Sequence, residues 1–358
     1  MPRRLQRIHE YVACLALVVA SVLLTLIVLE LACRLWHGPN SLFDWSNSIV
    51  AARVGVDAAD SDLVRDSTLG FVPKPGVSSL NAHHDAYGSR VAPSGPPLVG
   101  PLILTTGDSF AYGAEVSDGE TWQAYLQGLT QRRFVNAGVP GYGLDQIVLR
   151  TELLASSLQP SAIIVSFIAD DVRRSELLRL WGRGKPYFSL HGSSLELRNT
   201  PVPPDPPRGS SLSWWHRALG WSFLLDAVEN RLFENRSEWL GDRERALPRG
   251  SGEGLVCPLM RRLASLGIPT LMVAQYDPTP WRIEAHKQES HRLSLLVLQC
   301  AANSGLSTFD LFEPIDKVVH SQGIDTLYGT RSEHHSPEGN QFVAGLLAQE
   351  LTRLRMLP

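Results

Sequence analysis

Hydrophobicity along the chain falls into two regimes, and the first is a single unbroken apolar run. Val12 to Leu29 contains no charged residue and no proline, and Tyr11 and Leu31 to Leu35 extend it. Its 18 residues meet the lower limit for crossing a bilayer as a helix. Arg3, Arg4 and Arg7 precede the run, and only Arg34 follows closely. That asymmetry predicts a cytoplasmic N-terminus and an extracytoplasmic remainder. The run is longer than a signal-peptide core and no small-x-small cleavage site follows it. An uncleaved single-pass anchor over residues 1–36 is therefore expected, with membrane contact through residues 12–35.

Residues 37–98 are rich in Gly, Pro, Ser and Asp and read as an irregular extracytoplasmic stem. From residue 99 the second regime begins, with short apolar runs alternating with amphipathic stretches. Strands are expected at Leu102–Thr106, Phe134–Ala137, Ala162–Ile168, Pro269–Ala274 and Leu306–Asp310. The third run is apolar throughout, as in a parallel strand covered on both faces. Helices are expected from about Asp118, over Leu144–Leu154, near Leu255–Leu266, over Arg282–Ala302, and from Ser336-Pro337 onward. Ser is a favoured N-cap and Pro suits the first helical position. Five strands alternating with helices predict a doubly wound parallel α/β sheet over residues 99–358.

The alternation is interrupted at about 180–250. Pro186 to Leu197 alternates across a Gly-Ser turn, which predicts a hairpin. Thr200 to Pro207 is a proline-rich linker. Ser211 to Leu247 reads as mostly helical and carries Trp214, Trp215, Trp221, Phe223 and Trp239. These aromatics are expected to pack a lid subdomain onto the core, with a membrane surface or a substrate groove as the other openings.

Composition narrows the function. The formal net charge of −3 gives no electrostatic case for nucleic acid. The four cysteines form no C-x-x-C pair and no zinc-spaced cluster. Cys257 and Cys300 read either as two buried thiols or as a disulfide formed in an oxidising compartment. His83-His84 lacks partner carboxylates nearby in sequence and reads as a solvated loop pair.

Thr106-Gly107-Asp108-Ser109-Phe110 follows the first strand of the sheet. Gly107 permits a sharp turn, and Ser109 then falls past the strand's C-terminal end, where open α/β sheets bind ligands. A serine there is a candidate nucleophile, though the same residues also make ordinary turns. Such a nucleophile needs a base. His334-His335-Ser336-Pro337-Glu338-Gly339 lies before the last helix, at the same sheet edge, and His334 and His335 compete for the role. Backbone N–H groups at Ser109 and Gly138 stand after the first two strands as candidate oxyanion donors.

Together these blocks resemble the SGNH hydrolases, the GDSL-type esterase superfamily. Gly107-Asp108-Ser109 matches the first family block, and Gly138 in Asn136-Ala137-Gly138 matches the second. The longer strings Gly-Asp-Ser-Phe-Ala-Tyr-Gly and Asn-Ala-Gly-Val-Pro-Gly-Tyr-Gly-Leu-Asp-Gln are similar to membrane-anchored bacterial members linked with cell-surface polysaccharide. The resemblance implies a flavodoxin-like sheet, the SGNH fold, preceded here by one transmembrane helix. It also implies Ser109 as nucleophile, His334 as base and no metal or organic cofactor. The chain departs from the pattern twice. The third block, Gly-x-Asn-Asp, reads Ile168-Ala169-Asp170-Asp171, so Asp170 stands where an oxyanion-binding asparagine is expected. An ionised Asp170 would repel an oxyanion. The fifth block, Asp-x-x-His, has Arg331 in place of the aspartate. The residue orienting His334 is then unassigned, with Glu333 and Asp325 as candidates, or a backbone carbonyl in a Ser-His dyad. Asp108 and Asp171 are assigned to shaping their loops.

The sequence thus implies a periplasmic serine esterase that removes acetyl or another short acyl group from a cell-envelope glycan or related ester. Acyl transfer to a polysaccharide hydroxyl uses the same residues and is the first alternative. A catalytically degenerate glycan-binding or scaffold protein, suggested by Asp170 and Arg331, is the second.

Overall fold

The computed structural model describes residues 2–51, 62–79, 81–92, 99–192, 194–204, 213–232, 237–329 and 333–357. The chain opens with the long helix α1 (Pro2–His37), whose segment His9–His37 is long and apolar enough to cross a membrane. The antiparallel pair β1 (Leu63–Asp66) and β2 (Gly70–Pro73) follows. Then come β3 (Val99–Thr106), the short helix α2 (Ser109–Tyr112), α3 (Trp122–Thr130), β4 (Arg132–Asn136), α4 (Leu144–Leu158), β5 (Ala162–Phe167) and α5 (Ala169–Arg174).

The next stretch leaves the main sheet. It holds β6 (Leu177–Leu180), β7 (Arg183–Gly184), the hairpin β8 (Tyr187–His191) and β9 (Ser194–Arg198), helices α6 (Trp214–Leu219) and α7 (Phe223–Leu232), and strands β10 (Ser237–Glu238) and β11 (Arg243–Arg245). The main layer resumes with α8 (Gly252–Ala264), β12 (Thr270–Ala274), α9 (Thr279–Arg282), α10 (Glu284–Asn303), β13 (Ser307–Asp310), α11 (Phe312–Gln322) and α12 (Pro337–Arg353).

The five expected strands form one parallel sheet in the order β4-β3-β5-β12-β13. Numbered along the chain, that is 2-1-3-4-5, the flavodoxin-like doubly wound order. The chain reverses its winding at β3, so Ser109, three residues past β3, stands at the topological switch point. The central strands β5 and β12 are buried at every position. Helices on both faces cover them and share one core that includes Trp122, Ile147, Leu259 and Leu347.

Three regions differ from the sequence reading. The stretch read as irregular stem is partly built into the globular fold. Leu69 and Phe71 are buried in the main core, and the Tyr142 hydroxyl donates to the Phe71 carbonyl at 2.5 Å. Two apolar side chains in a Gly/Pro-rich context were too few to reveal this. Second, the solvated reading holds for only one of His83 and His84, since His83 is exposed and His84 is buried. His83 Nδ1 lies 2.6 Å from Asp118, and His84 is buried between the Lys74 carbonyl and the Tyr112 hydroxyl. Third, 211–247 is not mostly helical. Two short helices give way to β10 and β11, which extend the sheet of β6 and β7. Its aromatics also do not all pack inward, since Trp214 is 76% exposed. Cys257 on α8 and Cys300 on α10 form a disulfide. The hairpin turn at Ser193, the second half of the Thr200–Pro207 linker, and Arg331 fall outside the described residues.

Candidate active site

The site is built on the turn that leaves β3. Gly107 is required by a close approach. A Cβ there would overlap the Ser166 carbonyl oxygen on β5 and come within 2.6 Å of the Ala111 Cβ. Asp108 then caps α2, with its Oδ1 accepting from the Phe110 N–H at 2.9 Å. Helix α2 is only one turn long, so side chains from α3 hold it. Trp122 Nε1 donates to the Phe110 carbonyl at 3.1 Å, and Gln123 Nε2 donates to the Ala111 carbonyl at 2.6 Å. Ser109 is therefore fixed at a helix N-terminus on the sheet's carboxyl edge.

His334 arrives from the loop before α12. Its Nε2 lies 2.9 Å from Ser109 Oγ, and its Nδ1 lies 2.8 Å from Glu115 Oε1. A carboxylate can only accept, so Nδ1 carries the proton and Nε2 is left to accept from the serine hydroxyl. That is the geometry of an activated nucleophile with an oriented base. Glu115 sits just past α2, after the left-handed cap Gly113, and itself has φ +70°. A non-glycine residue held left-handed costs about 1 kcal/mol or more, and such positions cluster at functional sites.

His335 does not compete for the role. It is buried, stacked on Tyr328 at 4.8 Å and edge-on to Phe110 at 5.2 Å. Burial pushes its pKa down to about 4, so it is neutral. Phe110 also packs against His334 at 5.1 Å, so the two histidines and one phenylalanine fix the loop together.

Neither candidate acid from the sequence reaches the imidazole. Asp325 is exposed in the short helical turn Ile324–Thr326, and Glu333 is exposed on the rim of the cleft. Nδ1 is occupied by Glu115, which sequence reasoning missed. Glu115 carries no motif and lies 219 residues from the histidine it contacts. The only local hint was its place in a Gly-Ala-Glu turn six residues after the serine.

The Ser109 N–H makes no hydrogen bond among the described residues. The Gly138 N–H instead donates to Asn136 Oδ1 at 3.1 Å. Gly138 has a second duty as well, because a Cβ there would overlap the Tyr112 backbone nitrogen and let α2 approach no closer. In the same loop Gly141 is buried, with φ +80°, and a Cβ there would overlap the Trp181 ring.

Asp170 is no oxyanion donor. Burial opposes its charge, but the guanidinium groups of Arg174, Arg243 and Arg173 outweigh that and hold its carboxyl below the usual value. Arg174 Nε lies 2.9 Å from it. The same arginine lies 2.8 Å from Asp171 and 3.7 Å from Asp108. Burial, and then the charge of Asp108, push Asp171 well up; burial likewise raises Asp108. Asp171 Oδ2 accepts from the Ile168 N–H at 3.0 Å, so it shapes the loop after β5 as Asp108 shapes the loop after β3. The serine and histidine open into a cleft of about 260 Å³ whose walls include Ile168, Arg173, Asp277, Thr279 and Ser290. Among the described residues no group of three or more His, Cys, Asp or Glu side chains is arranged to hold a metal ion.

No family profile and no curated protein matches the chain. Several solved structures are similar to it at low identity. An acetylxylan esterase from Geobacillus stearothermophilus is 14% identical, covering 71% of this chain and 95% of that one at a TM-score of 0.43. A psychrotrophic esterase from Pseudoalteromonas is 10% identical, covering 71% and 98% at 0.41. The chain is likewise similar to a lipolytic protein of the G-D-S-L family from Desulfitobacterium hafniense, at 12% identity over 70% of this chain and 99% of that one, with a TM-score of 0.38.

Proposed function

We propose that the chain is a membrane-anchored serine ester hydrolase of the SGNH type, held by α1 with its catalytic domain outside the cytoplasm. The observation that carries the reading is the relay Ser109–His334–Glu115, with both hydrogen bonds within 2.9 Å. Ser109 Oγ attacks the ester carbonyl carbon while its proton passes to His334 Nε2. Glu115 holds the ring and balances the imidazolium. The Ser109 N–H meets the developing oxyanion. The Gly138 N–H joins it by giving up its bond to Asn136. The carbon–oxygen bond breaks, His334 protonates the leaving alcohol, and water attacks the acyl-serine by the same route in reverse roles.

The cleft is small, at about 260 Å³, and its walls carry Arg173, Arg174, Asp277 and Ser290 beside the apolar Phe110 and Ile168. That favours acetyl or another short acyl group on a polar alcohol such as an envelope glycan. The disulfide and the basic residues Arg3, Arg4 and Arg7 at the start of α1 support an extracytoplasmic domain. An intact relay argues against a degenerate binding protein. The test is labelling by a fluorophosphonate. The native chain should label and Ser109→Ala should not, with short-acyl ester hydrolysis falling at least about 1,000-fold. Equal labelling of both would remove Ser109 from the role. Running the hydrolysis with and without a glycan acceptor separates hydrolysis from acyl transfer.

A further inference from the structure

The C-terminal end of α1 is bonded into the insertion that interrupts the sheet. Glu30 Oε1 accepts from the Phe223 N–H at 3.0 Å, and Oε2 accepts from the Leu224 N–H at 2.9 Å and the Ser222 hydroxyl at 2.8 Å. One carboxylate thus caps the start of α7. Arg34, fully buried, lies 2.7 Å from Glu30 and donates to the carbonyls of Ser41, Asp44 and Trp221. Its guanidinium also stacks over Trp45 at 3.9 Å. Buried polar groups on an otherwise apolar span are retained only when paired, and here their partners come from the globular part.

The height of this latch follows from helix geometry. Val12 to Leu29 covers about 27 Å at 1.5 Å per residue, close to a hydrocarbon core of about 30 Å. Glu30 to His37 adds about 12 Å, enough to cross the headgroup layer. The start of α7, bonded to Glu30, therefore lies at the boundary between hydrocarbon and headgroups. Around it the surface is aromatic and open. Trp36 is 90% exposed, Phe43 86%, Trp45 52%, Trp214 76% and Trp215 48%. Tryptophan favours that interfacial layer.

We infer that the segment from Ser213 to Leu232 rests on the outer leaflet of the bilayer, with Trp214 and Trp215 in the headgroup layer, fixed there by the Glu30–Arg34 pair. This rests on the anchored reading of α1. It makes the insertion a membrane-contact platform and not a lid packed onto the core. The catalytic domain then has one orientation over the membrane instead of swinging on a flexible stem.

The full chain, with Cys14→Ser and Cys33→Ser, is reconstituted into phosphatidylethanolamine–phosphatidylglycerol vesicles and spin-labelled at Trp215→Cys, at Leu219→Cys or, as an aqueous reference, at His320→Cys. Relaxation by oxygen reports lipid contact, and relaxation by a water-soluble nickel chelate reports water contact. At least one of positions 215 and 219 should show nickel access reduced about threefold or more against position 320, with oxygen access raised. Adding Glu30→Leu should return that access toward the reference, because the Phe223 and Leu224 N–H groups lose their acceptor. Nickel access equal to the reference, in a chain that alkaline carbonate does not extract, overturns the inference while leaving the anchor standing. Low access to both reagents overturns it in favour of a protein contact. Extraction of the chain by carbonate would sink the anchored reading, and this inference with it.

Discussion

Replacing Glu115 tests the least anticipated part of the site. Glu115→Ala removes the acceptor for His334 Nδ1–H and leaves Ser109 and its 2.9 Å contact with Nε2 in place. The carboxylate and the imidazolium formed during attack lie about 4 Å apart, worth about 1 kcal/mol in water and about 4 kcal/mol at an effective dielectric of 20. The Glu115 side chain is 50% exposed, so screening puts the loss toward the lower end, at about 1–2 kcal/mol. That corresponds to a fall in kcat of about 5- to 30-fold, with KM little changed. The assay is steady-state hydrolysis of a short-acyl nitrophenyl ester, with Glu333→Ala and Asp325→Ala alongside. Glu115→Gly adds a control on stability. It removes the same carboxylate and relieves the left-handed backbone at φ +70°, so its thermal midpoint should hold or rise while kcat falls as in the alanine variant. If Glu115→Ala stays within about twofold of the native kcat, or Glu333→Ala falls further, the assignment of the orienting acid is wrong.

Three other outcomes follow from the same geometry. His335 has its folded pKa depressed to about 4 from 6.5, so its stabilisation is complete above about pH 6.5 and is lost as pH falls toward 4; the native chain should lose about 3 kcal/mol across that window, and His335→Phe should flatten the dependence in urea melts taken at several pH values. Asp170→Asn removes a carboxylate and offers an amide donor beside the nucleophile, so kcat should rise about three- to tenfold, and a fall would show that the Asp170–Arg174 pair itself supports the reaction. Reducing the Cys257–Cys300 bridge opens a loop of 43 residues, and the denaturant midpoint should drop by the equivalent of about 4 kcal/mol, matched by the Cys257→Ser/Cys300→Ser chain.

The parts of the fold set by local pattern were legible in the sequence. Short, β-branched apolar runs such as Ala162–Phe167 point to buried strands, and the Ser336-Pro337 start of α12 is a local signal with a local cause. Gly107, Asp108 and Ser109 were readable for the same reason, since a tight turn and a cap are decided within a few residues. What stayed hidden depends on pairing between distant segments. Glu115 becomes functional only because α12's preceding loop brings His334 to it. Phe71 is core only because Tyr142 and Leu69 meet it. Whether Cys257 pairs with Cys300 depends on how α8 packs against α10. The tryptophans of the insertion misled because composition assigns aromatics to cores, while the bonds that tie the insertion to α1, such as Phe223 N–H to Glu30, join residues nearly two hundred positions apart.

The departure at Asp170 acquires a physical meaning once Arg174 is placed. Three carboxyl groups, Asp108, Asp170 and Asp171, surround a single guanidinium that is itself deeply enclosed. With all three ionised the cluster would carry two uncompensated negative charges beside a developing oxyanion. Burial and mutual repulsion raise Asp108 and Asp171, whereas Asp170, nearest the cleft, is held ionised by Arg174 and its neighbours. The charge that could oppose catalysis is therefore the one most directly neutralised, and Arg173 adds a further cation on the cleft wall. On this account the site exchanges a neutral amide donor for an ion pair. Oxyanion stabilisation then depends on backbone N–H groups, that of Ser109 first, more heavily than the sequence pattern suggested, and Arg174→Gln should lower kcat where Asp170→Asn raises it, because it leaves the carboxylates without their counter-ion.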